Sequence, residues 1–130
     1  MNISFTSRTA LSPMSAAQRI IAMGDHRVPF TRITQNGDRV SAVTRLGPIV
    51  IDDTMEIGPL IQRGTSVRGS ITKTGTVLGG TLLFSAVETP SGTRVGWRQN
   101  LTFLPCRALD PILAVVMRVG YGIAFKALLR

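Results

Sequence analysis

Cysteine and histidine are nearly absent: Cys106 and His26 are the single copies of each in 130 residues. One thiol builds no disulfide framework and no cysteine-rich zinc site, and one imidazole excludes multi-histidine metal centres. Neither metal nor cofactor is therefore expected. Acidic residues are scarce as well, 7 against 15 basic ones, which leaves a formal charge of +8. The arginines are scattered from Arg8 to Arg130 without a basic run, and aromatics make up only 5% of the chain. With so few rings to stack on bases, nucleic-acid binding is disfavoured and stays a second alternative. No internal repeat, low-complexity linker or phosphate-cradling glycine loop is present; Gly79-Gly80 stands inside a strand pattern and opens no helix. Met1 to Ala10 alternates polar and apolar residues without a continuous apolar stretch, so no signal peptide is read there and a cytoplasmic location is expected.

What the chain has is apolar bulk. Hydrophobic residues make up 44% of it, too many for a disordered basic tail. A chain of this length buries roughly two-thirds of its unfolded surface, enough for a core without staples. One domain over residues 1–130 is expected.

Ile3 to Ala10 reads as a short strand, and Ser12-Pro13 as an N-cap with proline in the first turn of a helix running to about Met23. Asp25 to Asp38 is irregular: Pro29 argues against a central strand, and Asn36-Gly37 marks a tight turn. From Arg39 the period is two. Strands are expected over Arg39 to Arg45, Ile49 to Ile57 and about Thr65 to Thr74, punctuated by Gly47-Pro48, Gly58-Pro59 and Gly75. Thr76 to Glu88 and Thr93 to Leu104 flank the turn Thr89-Pro90-Ser91-Gly92 as a hairpin, with a bulge or bend expected at Gly79-Gly80. Ile112 to Leu129 follows as a long helix, Asp110 its N-cap, apolar except for a stripe through Ala114, Arg118, Gly122, Lys126 and Arg130. At about 18 residues it sits at the lower limit of a membrane span, and a central Arg118 would cost about 2.5–3.5 kcal/mol there. Peripheral contact with an anionic membrane suits an apolar helix on a positive chain better.

The stretch Glu88-Thr-Pro-Ser-Gly-Thr-Arg-Val-Gly-Trp97 resembles the penultimate hairpin of the SRPBCC superfamily. Asp53-Thr-Met55-Glu-Ile57, and Lys73 followed by Gly75, are similar to strand patterns in its small bacterial members. The resemblance runs from about Arg39 to Leu129. It implies an α+β helix-grip fold, like that of START-related and polyketide cyclase/dehydrase-like proteins: a curved antiparallel sheet of about six strands wrapped around the long apolar C-terminal helix, with a short N-terminal helix. It also implies a cavity between sheet and helix, used in the superfamily for sterols, lipids and polyketides.

Strand phase puts Asp53 between Ile51 and Met55 on the inner face, with Lys73 in the same relation to Ile71. An unpaired carboxylate there would be expensive, so the two either pair across strands or one of them anchors a ligand. Gln99 shares its phase with Val95, Trp97 and Leu101 and could orient a ligand through its amide or simply be satisfied in the core. Met55, Trp97, Phe103, Met117 and Tyr121 are the bulky candidates for a cavity wall, or else ordinary core. His26 reads as an exposed loop side chain, and Cys106 as a small filler with no partner pattern for a nucleophile. No residue is nominated as catalytic. The expected function is binding or transport of a hydrophobic small molecule, lipid or polyketide-like. The alternative is a cyclase or aromatase acting in the same cavity, with Asp53, Lys73 and Gln99 as its only inward polar groups.

Overall fold

The computed structural model describes residues 2–26, 28–104 and 107–129; Phe103, Arg107, Asp110, Val116, Tyr121, Ala124, Phe125 and Leu128 are described in the backbone alone. Cys106 lies outside the described residues. The chain runs β1 (Asn2–Thr9), α1 (Pro13–Ile21), β2 (Thr31–Asn36), β3 (Arg39–Leu46), β4 (Ile49–Ile57), β5 (Ile61–Arg63), β6 (Ser66–Lys73), β7 (Leu78–Thr89), β8 (Gly92–Phe103) and α2 (Asp110–Leu128). Short 3-10 turns at Met23–Asp25 and Arg107–Leu109 follow α1 and precede α2.

All strand pairs are antiparallel, in the order β1-β8-β7-β6-β4-β3-β2, and β5 pairs with β6. The sheet therefore has eight strands where about six were expected. Each addition has a local cause. Pro29 does exclude a strand at its own position, but Thr31 onward is free to pair, and β2 does so on one side only, as an edge strand against β3. Gly58-Pro59 interrupts a strand without ending it: Gly58 N–H donates to the Ser70 carbonyl at 2.8 Å, and Ile61–Arg63 then rejoins the same edge of β6. Three hairpins turn through two residues with a glycine first, and Gly37, Gly47 and Gly64 all take positive φ near 60°. At Gly79-Gly80 no bulge forms. The β7–β8 register is continuous, and Gly80 instead lets the strands approach at φ 120°.

One face of the sheet is the core. Ser12 caps α1 by accepting from the Ser15 N–H at 3.2 Å, and Pro13 occupies the first turn. The helix turns Ala16, Ala17 and Ile20, all fully buried, onto β6, β7 and β8. Across those strands register aligns Gly69, Phe84, Trp97 and Phe5 in one row. Phe84 and Trp97 stack with centroids 6.3 Å apart, and the Phe84 ring lies over Gly69 where any side chain would otherwise be.

Among the strands of the described residues, the C-terminal helix is in contact chiefly with β1. It is pinned at its end, where the Thr9 hydroxyl donates to the Leu129 carbonyl at 2.7 Å and Leu129 enters the core. The outward face takes in only part of the small and polar stripe, at Arg118 and Lys126. Ile112, Val115, Val119 and Ile123 are exposed, while Ala114 and Gly122 are half-buried. No helix of the described residues is long and apolar enough to cross a membrane.

A Cβ on Gly69 would lie 2.2 Å from Phe84 Cζ. Gly69→Ala should therefore cost about 1–3 kcal/mol in urea unfolding and alter Trp97 emission, because Phe84 must leave its stack. Unchanged stability and emission would show that the row is loosely packed.

Candidate functional site

The residues nominated from sequence fall into two buried groups. In the first, β4 pairs with β6 so that Met55 faces Lys73, and Asp53 sits one inward position back along β4. Lys73 Nζ donates to Asp53 Oδ2 and lies 3.9 Å from Met55 Sδ. All three side chains are buried, so the cross-strand pairing weighed from strand phase is what forms. Burial pushes the Asp53 carboxyl above its ordinary value; the Lys73 ammonium opposes that push and Asp52 adds slightly to it. Among the described residues Asp53 Oδ1 has no hydrogen-bond partner.

The second group lies on β8. Trp97 Nε1–H donates to Gln99 Oε1 at 3.3 Å. An indole N–H only donates, so it must meet the amide oxygen, which turns the Gln99 NH2 away. That NH2 is fully buried and has no partner among the described residues. Register keeps the two groups apart: the Lys73 row continues through Gly80 and Leu101, whereas the Gln99 row runs through Leu82 and Ile71. Met117 is half-buried on α2. The side chains of Phe103 and Tyr121 lie outside the described residues.

An opening to the surface lies elsewhere. A groove of about 510 Å³ separates the start of β2 from α2, lined among others by His26, Val28, Pro29, Thr31, Ile33 and Ile123. None of these residues was nominated from sequence as a cavity wall. The one available signal was the apolar run Val28-Pro29-Phe30 inside a polar loop. A second depression of about 430 Å³, at the turn end of β2–β4, is bordered by Gln35, Val40, Met55 and Thr74. Register connects the groove to the charge pair, since Ile33 faces Ala42 and Ala42 faces Asp53. Two strand spacings put the carboxylate's backbone about 10 Å from that of Ile33.

His26 is half-buried rather than exposed. Its Nε2 lies 3.0 Å from the Arg19 carbonyl, and because a carbonyl only accepts, Nε2 carries the proton. Desolvation lowers its pKa from 6.5, against the raising effects of the Arg19 and Ile20 backbone and Asp25. Among the described residues no three His, Cys, Asp or Glu side chains gather as a metal site.

No family model and no curated protein matches the sequence. Solved structures do match the fold. An uncharacterised protein from Bacillus thuringiensis aligns over 100% of both chains with a TM-score of 0.61 at 13% identity. XoxI from Bacillus cereus aligns over 98% of this chain and 92% of its own, at TM-score 0.62 and 14% identity. Ara h 8.0201 aligns over 98% and 94%, at TM-score 0.60 and 12% identity. At such identities the likeness is one of fold, and the fold is the α+β helix-grip type.

Two outcomes follow from the buried polar groups. Lys73→Met leaves the Asp53 charge unpaired and should cost about 3–5 kcal/mol in denaturant unfolding, while the double variant Asp53→Leu/Lys73→Met should recover most of that loss. A double variant as unstable as the single one would mean that the pair holds the sheet by more than mutual neutralisation. His26, the only imidazole, should give a single titrating ring signal in proton NMR with a midpoint below 6.5. In that window the unfolded chain binds the extra proton and the folded one does not, so stability should fall as pH drops below 6.5. A midpoint at or above 6.5 would contradict the burial seen here.

Proposed function

We propose that residues 1–130 form a single helix-grip domain that binds or carries an apolar small molecule, of lipid, sterol or polyketide type, without changing it chemically. The groove between β2 and α2 carries this reading. Its volume of about 510 Å³ falls within the range of small-molecule sites, and Val28, Pro29, Ile33 and Ile123 supply apolar walls. Among the described residues of α2, Leu113, Ala114, Met117 and Gly120 are only half-buried.

In this reading the wall extends from the groove to Met55, Trp97, Phe103, Met117 and Tyr121. The Asp53–Lys73 pair and the unpartnered Gln99 NH2 supply the polar contacts that orient the ligand. Burying about 300 Å² of apolar ligand surface yields roughly 7 kcal/mol before association costs, and one or two polar contacts add to it. Binding is favoured over catalysis because the inward Asp53 and Lys73 hold each other.

Fluorescence titration with an environment-sensitive fatty acid checks the reading. The wild type should saturate at one site, and Ile33→Arg, which puts a guanidinium into the groove, should weaken uptake by about tenfold or more. Leu83→Arg, on the exposed outer face of β7, serves as the control and should bind like the wild type. Equal uptake by Ile33→Arg, with its circular dichroism unchanged, would remove the groove as the binding site.

A further inference from the structure

Helix α2 turns Ile112, Val115, Val119 and Ile123 outward, each more than half exposed. At 100° per residue they fall within about 80° of arc, a continuous apolar stripe along the helix. A folded chain that stays in water rarely leaves such a row open. We propose that the stripe is a docking surface for anionic lipid bilayers; this stands apart from the small-molecule reading and does not require the groove to be filled.

Charge selects the occupant. Beyond Asp110 the helix carries no acidic residue, while Arg118 and Lys126 are exposed on it, Lys126 in line with the stripe itself. The chain as a whole is +8. A second copy packed stripe to stripe would bring these cations together with Asp110, at the helix start, as the single carboxylate on each helix to offset them. A bilayer containing acidic headgroups accepts the apolar side chains below the headgroups and the cations among them. The helix lies on such a surface and does not cross it.

The loop beside α2 adds a second apolar element. Phe30 is 73% exposed at φ 61°, a backbone conformation that bulky residues avoid. It is held there by backbone bonds from Arg45 N–H to the Phe30 carbonyl and from Thr31 N–H to the Val28 carbonyl. The neighbouring Val28 and Pro29 line the groove with Ile123, and Val28 reaches Gly120 of α2. Docking through the stripe therefore brings the mouth of the groove to the bilayer.

Vesicle flotation tests the assignment, comparing phosphatidylcholine alone with phosphatidylcholine plus phosphatidylglycerol. The wild type should partition to the anionic vesicles about tenfold more strongly than to the neutral ones, and less so as salt rises. Val115→Asp/Val119→Asp should lose about tenfold or more of that partitioning, with its circular dichroism and fatty-acid uptake unchanged. Leu83→Asp, an exposed apolar position away from α2, should partition like the wild type. Three results would overturn the proposal: no binding to anionic vesicles, equal loss in the Leu83 control, or a dimer in sedimentation that Val115→Asp/Val119→Asp dissolves, which would give the stripe to a second copy.

Discussion

A curved sheet must cover its apolar face, and here α1 is too short to cover it all. Seven strands side by side span about 29 Å, whereas the nine residues of α1 extend about 13 Å. Helix α1 closes the face over β6, β7 and β8, where Ile71, Leu82, Phe84, Ala86 and Trp97 pack with almost no exposure. Helix α2, pinned near β1 by Thr9 and Leu129, leaves the β2–β4 side less completely covered. The division into a filled half and an open half follows from that shortfall.

The polar groups of the inner face sit where the division falls. Asp53 and Lys73 lie on β4 and β6, at the edge of the region that α1 covers, and each neutralises what would be a costly buried charge in the other. Burial nevertheless wins at Asp53, whose carboxyl stays above its ordinary value, so the site is dry enough for desolvation to outweigh an ammonium in direct contact. A ligand hydroxyl reaching Asp53 Oδ1 would satisfy the one atom of the pair that has no partner among the described residues. The same holds for the Gln99 NH2, which faces away from Trp97.

Much of this was legible from local chemistry. Period-two alternation locates β3, β4, β6 and β8, Ser12-Pro13 starts α1, and Thr89 to Gly92 turns the longest hairpin. The phase of Asp53 and Lys73 foretells their meeting, because cross-strand neighbours on one face follow from register. What the pattern could not reveal depends on distant partners. β2 and β5 are short edge segments beside Pro29 and Pro59, where the local signal favours interruption. The groove joins the stretch from Gly24 to Ile33 to Ile123 of α2, ninety residues away, and that meeting is not written in any one window of sequence. The outward stripe Ile112, Val115, Val119 and Ile123 was not read from the pattern, because a nearly all-apolar helix has no broad polar face to mark its outside.

The account rests on one claim, that the uncovered half of the inner face holds an apolar molecule. Native mass spectrometry of the purified protein, followed by organic extraction, addresses it directly. The expected spectrum contains a discrete adduct at one-to-one stoichiometry, which organic solvent releases as a lipid, sterol or polyketide-like compound. A spectrum with the bare protein mass alone, unchanged after incubation with a lipid extract, would contradict the claim and leave the groove a feature of shape without cargo.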